Sequence, residues 1–80
     1  MAIGQAVNTD ELRRARLRKG WTLRDVESRC AELGTPVDNG NVSKYERGEV
    51  QPVPRTLLVI AQALDVDVDS LLLPAARVPA

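Results

Sequence analysis

The sequence predicts an all-α domain, and three observations carry that prediction. Apolar residues recur at spacings of three and four, helix-starting and helix-stopping residues punctuate those patterns at short intervals, and the one hairpin-like dipeptide, Asn39-Gly40, lacks the alternating flanks of a β-hairpin.

Five short helical patterns follow one another. Asn8 with Glu11 three residues later reads as a capping box, Asp10 and Glu11 make an acidic first turn, and the first helix runs over 9–19 to a stop at Gly20. Leu12 and Ala15 share its inner face with the stem of Arg16, while Leu17 points elsewhere, toward a second contact. Thr22 caps the second helix, and Leu23, Val26, Cys30 and Leu33 form its apolar stripe, closed by Gly34 at C′ and Pro36 beyond. Trp21 packs as a staple beside that cap, and Cys30 reads as a small buried hydrophobe rather than a reactive thiol.

Asp38 caps a third helix over 39–47, with Asn39-Gly40 weakening its first turn, Val42 and Tyr45 buried, and Gly48 at its end. Val53 and Pro54 open the fourth, whose core stripe is Leu57, Ile60, Ala61 and Leu64; Val59 falls outside it. Asp67 caps a last short helix carrying Val68, Leu71 and Leu72. The expected organisation is a flexible N-terminus over 1–8, a folded domain over 9–73 and a C-terminal tail over 74–80.

Eighty residues suffice for one small domain, which buries roughly 60% of the surface its unfolded chain exposes. There is no histidine and a single cysteine. That removes the usual zinc ligand sets, a disulfide framework and any Ser-His or Cys-His nucleophile pair, so neither an enzyme nor a metal or other cofactor is expected. Asp65, Asp67 and Asp69 lack a fourth ligand and read as a solvated turn. No apolar run approaches the ~20 residues that span a bilayer, and the first residues lack the pattern of a signal peptide, so the expected location is a reducing cytoplasm.

Formal net charge is zero, but its distribution is not even. Residues 1–47 hold nine bases against seven acids, or +2, and residues 48–80 two bases against four acids, or −2. A basic front and an acidic back suit a chain that presents one face to a polyanion.

Leu12-x-x-x-Arg16, Gly20-Trp21-Thr22, Val26, Val42-Ser43-x-x-Glu46-x-Gly48 and Pro52-x-x-x-Thr56-Leu57-Leu58-x-Ile60-Ala61-x-Ala63-Leu64-x-Val66 make a recognisable series. The stretch from Leu12 to Leu72 resembles the Cro and phage-repressor type helix-turn-helix family, also called XRE-like. The resemblance implies a lambda-repressor-like, compact five-helix bundle that binds double-stranded DNA with its third helix in the major groove and its second across the backbone. Carried over residue by residue, it implies base contacts from Asn39, Gly40, Asn41, Ser43 and Lys44, phosphate contacts from Thr22, Arg24, Arg47 and Arg55, and a structural ion pair between Arg16 and Glu46. Leu23 stands where the family commonly has a phosphate-touching glutamine, Asp38 where serine or threonine is usual, and the connection after helix two is longer than the family's compact turn.

The function these readings point to is a sequence-specific transcriptional regulator, a repressor of phage or bacterial origin. The alternatives are a protein-interaction module of antitoxin or antirepressor type on the same fold, and a DNA-bending excision accessory factor. One helix reads only a few base pairs, so a homodimer on a palindromic operator is expected, joined through the C-terminal part by Val59, Leu73, Pro74 and Val78; the alternative is that Leu73 and the tail fold back over Leu17 within one chain.

Overall fold

The computed structural model describes residues 6–73. Within them the chain forms α1 (Thr9–Arg18), α2 (Leu23–Glu32), α3 (Asn39–Glu46), α4 (Pro54–Leu64) and a 3-10 turn (Val68–Leu71). The fifth helix of the expected bundle is thus a single 3-10 turn. Asp67 precedes it without capping it through its side chain; instead its carbonyl accepts from the amide and the hydroxyl of Ser70.

The helix starts follow their capping residues. Asn8 Oδ1 accepts from the Glu11 amide at 3.1 Å, but the reciprocal half of the expected box is absent, because the Glu11 carboxylate pairs with Arg18 and the Asn8 amide donates to Leu71. The complete box lies at α2, where Thr22 Oγ1 accepts from the Asp25 amide and Asp25 Oδ2 from the Thr22 amide. An Asp at N3 performs the part usually taken by Glu or Gln.

All four α-helices end alike. In α2 the Gly34 amide reaches the Ala31 carbonyl and the Thr35 amide the Cys30 carbonyl, the paired bonds of a Schellman end, which require the left-handed backbone that Gly34 supplies at φ 93°. At α4 the left-handed residue is Asp65, at φ 57°. A short polar side chain tolerates that region better than most, and Lys19 Nζ holds its carboxylate at 2.8 Å, tying the end of α4 to the end of α1.

The core draws on every element: Leu12 and Ala15 from α1, Val26 and Cys30 from α2, Val42 from α3, and Leu71 from the 3-10 turn. Around α4, Leu57, Val59, Ile60, Ala61, Ala63 and Leu64 are all buried. Val59, expected outside the core and on a dimer surface, is only 4% exposed. A helix that is apolar nearly all round is enclosed by its neighbours, and α4 is that central helix. Leu33 errs the other way: it lies past the last turn of α2 and is exposed.

Residues 6–8 belong to the fold rather than to a loose N-terminus. Val7 is buried and forms an antiparallel bridge with Leu72, flanked by bonds from the Asn8 amide to Leu71 and from the Leu73 amide to Ala6. The Val7 amide, on the far edge of that bridge, donates to Gln51 Oε1 at 3.0 Å. Residues 1–5 and the tail 74–80 lie outside the described residues.

Candidate nucleic-acid interface

The pair α2 and α3 is joined by residues 33–38, and that longer connection is anchored. The Schellman end fixes its first residues, Pro36 restricts its middle, Val37 is buried in the core, and Asp38 caps α3 by accepting from the Gly40 amide at 2.9 Å.

Helix α3 is then held at both ends by polar side chains. At its start, Asn39 Nδ2 donates to Glu27 Oε1 on α2 at 2.9 Å. At its end, Arg16 on α1 donates to Glu46 from Nε at 2.7 Å and from Nη2 at 3.0 Å. Both side chains of that pair are largely shielded from water, and the hydrogen bond to Glu46 raises the Arg16 pKa above its ordinary value. Arg16 Nη1 also donates to the carbonyl of Trp21, just before α2, so one guanidinium joins α1, the following turn and α3. Trp21 itself packs against the core, with Lys19 Nζ 4.9 Å from its ring centroid.

Between those ends Val42 faces the core, and Asn41 and Lys44 are exposed. Ser43 is half-buried, its hydroxyl accepting from Arg47, whose Nε also pairs with Glu49 at 2.6 Å. Arg47 is therefore partly engaged within the chain, although a guanidinium with five N–H groups keeps donors to spare. Gly40 lies under the cap: a Cβ there would come within 2.8 Å of Asp38 Oδ2. Tyr45 packs half-buried against the core.

Of the residues expected near phosphates, Thr22 is exposed at the start of α2, its oxygen occupied by the Asp25 amide and its hydroxyl hydrogen still available. Arg24 and Arg55 occupy the second positions of α2 and α4, both exposed. Leu23, where a glutamine is usual, packs against the core instead.

The charges on this face fall into two groups. The carboxylates of Asp25, Glu27, Asp38 and Glu46 each accept a hydrogen bond from within the chain. Among the described residues the side chains of Arg24, Lys44 and Arg55 make neither a hydrogen bond nor an ion pair. The charged side chains of this region left without an intramolecular partner are thus cationic, while the hydrogen-bonded carboxylates keep their negative charge.

Sequence reasoning missed Glu27 and Asp25. Asp25 carried a signal, Thr-x-x-Asp, in the spacing of a capping box; Glu27 carried none, because its partner lies twelve residues away on another helix.

A concavity of about 570 Å³ lies elsewhere, walled by the Ala6–Val7 segment, Gln51, Pro52 and Pro54, Leu57 and Leu58 of α4, and Val68 and Leu72. It has no charged wall and so does not suit a phosphate backbone. No helix among the described residues is long and apolar enough to cross a membrane, and no group of His, Cys, Asp and Glu among them is placed to hold a metal ion.

Searches of the curated proteins and of the solved structures each found no significant match. The family model described as "Helix-turn-helix domain" matches residues 9–73, from the first residue of α1 to just past the 3-10 turn, and the chain therefore belongs to that family of XRE-like and Cro-type DNA-binding domains.

Proposed function

We propose that this chain is a sequence-specific, double-stranded DNA-binding transcriptional regulator, a repressor of phage or bacterial origin acting in the bacterial cytoplasm or nucleoid, with α3 in the major groove. The observation that carries the reading is the placement of Arg24 and Arg55. A cation in the first turn of a helix works against the helix dipole, and neither arginine has a compensating hydrogen bond or ion pair among the described residues. A phosphate near each helix N-terminus would supply the partner that both arginines lack within the chain.

In this arrangement Arg24, Arg55, Thr22 and the spare donors of Arg47 anchor the backbone. Asn41 and Lys44 read base edges from the exposed face of α3, joined at its first turn by Asn39. Gly40 adds no side chain and lets the backbone approach, and Ser43 orients Arg47. Arg16 and Glu46 hold the angle of α3 and touch no DNA. Catalysis has no place in this mechanism.

Two copies on a palindromic operator supply the contacts that one small domain lacks. With Val59 inside the core, the surface proposed for self-association is the C-terminal part around exposed Leu58 and Leu73. The competing reading, a protein-interaction module, draws on Asp25 and Asp38 at the starts of α2 and α3; their use as helix caps weakens it.

Selection from a pool of random duplexes followed by sequencing tests the proposal. An enriched motif with two-fold symmetry is the expected result. Failure to retain any duplex at low salt would leave the interaction module as the better reading.

A further inference from the structure

We infer that Glu27 is a positioning residue that sets the base preference of Asn39, making adenine the base read at the start of α3. The inference rests on the DNA-binding reading and extends it to one residue that touches no base itself.

The argument begins with the chemistry of the two side chains. An asparagine amide has a donating end and an accepting end, and rotating it by half a turn exchanges them. A carboxylate only accepts. The bond from Asn39 Nδ2 to Glu27 Oε1, at 2.9 Å and half-buried between α2 and α3, therefore turns the amide nitrogen inward. Its oxygen is left without an intramolecular donor among the described residues, and the second hydrogen on Nδ2 is also uncommitted.

That pattern selects among bases. In the major groove adenine presents an amino donor at N6 beside an acceptor at N7, matching an outward oxygen and one spare N–H. Guanine presents O6 and N7, both acceptors, and would set O6 against Asn39 Oδ1. Thymine offers O4, also an acceptor. Cytosine offers its N4 amino group but no neighbouring acceptor for the spare N–H, so it satisfies half the pattern. A single well-formed bidentate contact of this type discriminates by roughly 5- to 140-fold.

The test uses the full chain and duplexes from the selected motif that differ only at the position whose preference is lost in Asn39→Ala. In the parent that position should be adenine, and replacing it with purine, which lacks the N6 amino group, should weaken binding. In Glu27→Gln the new amide can donate as well as accept, so the Asn39 amide is free to turn over. Adenine over guanine preference should then fall toward parity at that position, with other positions and the thermal midpoint little changed. Glu27→Lys, which only donates, should go further and favour guanine.

Unchanged adenine preference in both variants would overturn the inference, as would a parent that prefers guanine or thymine there or ignores the purine replacement. A uniform loss across all sequences would assign Glu27 a purely structural role and also overturn it. Should neither variant fold, the purine replacement in the parent still decides whether Asn39 presents its oxygen outward. A parent that binds no duplex at all removes the DNA-binding reading itself, an outcome distinct from a parent that binds with the wrong preference.

Discussion

Arg16 and Glu46 meet side by side, Nε to Oε2 at 2.7 Å and Nη2 to Oε1 at 3.0 Å, with side-chain exposures of 13% and 8%. Removing one member of a buried pair strands the other charge, at about 3–5 kcal/mol, and slight wetting places this pair toward the lower end. Glu46→Ala should therefore lower the urea midpoint markedly. Arg16→Ala should cost at least as much, since it also orphans the Trp21 carbonyl. Glu46→Gln, which keeps one acceptor, should cost less. A Glu46→Ala midpoint equal to the parent's would mean that the pair does not form in solution.

Anchors and readers should separate by mutation. Arg24→Ala and Arg55→Ala should weaken binding to all duplexes alike and each reduce the salt slope by about 0.9 per subunit, or about 1.8 for a dimer. Lys44→Ala should change the preferred base at one position, at about 1–3 kcal/mol on the best site. For a dimer neutralising about six to ten phosphates, raising salt from 50 to 200 mM should weaken binding by roughly 10³- to 10⁵-fold. A preference change in Arg55→Ala with none in Lys44→Ala would mean that α3 does not lie as proposed.

Local signals were legible in the sequence because they act within one turn of chain. Thr22, Asp38 and Pro54 begin helices where spacing indicates, and Gly20, Gly34 and Gly48 follow their ends. Features that depend on packing were not. Val59 is off the main stripe of α4, and only the enclosure of that helix by its neighbours buries it. Gln51 satisfies the amide of Val7 across 44 residues, and Glu27 orients Asn39 from another helix; neither pairing has a spacing that announces it. Arg16 with Glu46 was reached from the family resemblance, because no local pattern links residues 30 apart.

Stability should decline toward both pH extremes, for different reasons. Hydrogen bonds from Arg18, Arg47 and Lys19 hold Glu11, Glu49 and Asp65 below their ordinary pKa values. A depressed folded pKa contributes stability above the unfolded value, near 4, that is lost as pH falls through the lowered one. Glu49 and Asp65 are exposed and Glu11 only half-buried, so the acid decline should be shallow and should flatten in 1 M salt. Burial raises the Cys30 pKa, which stabilises the fold below the unfolded thiol value of about 8.5 and withdraws that stability as pH rises through the raised one. The alkaline decline should be insensitive to salt and should be reduced in Cys30→Ala. With no histidine in the chain, urea midpoints between pH 6 and 8 should be level; a step there would contradict this assignment of groups.

The start of α3 gives a prediction in which one substitution changes sign with its background. Asp38 caps the helix through the Gly40 amide, and a Cβ on Gly40 would press to 2.8 Å from the capping oxygen. Losing such a cap costs about 0.5–2 kcal/mol, and replacing a helical glycine by alanine returns up to about 1 kcal/mol, less in a first turn. In the parent, Gly40→Ala displaces the cap, so the loss cancels or outweighs the gain and the variant should be no more stable than the parent. In an Asp38→Ala background the cap is already gone and the clash with it, so Gly40→Ala should stabilise. Urea unfolding of the two single variants and the double variant closes the cycle, with an expected coupling of about 1 kcal/mol. Additive effects would mean that the Asp38 carboxylate does not lie over Gly40 in solution, and the weak first turn of α3 would then have to be held by Asn39 and Glu27 alone.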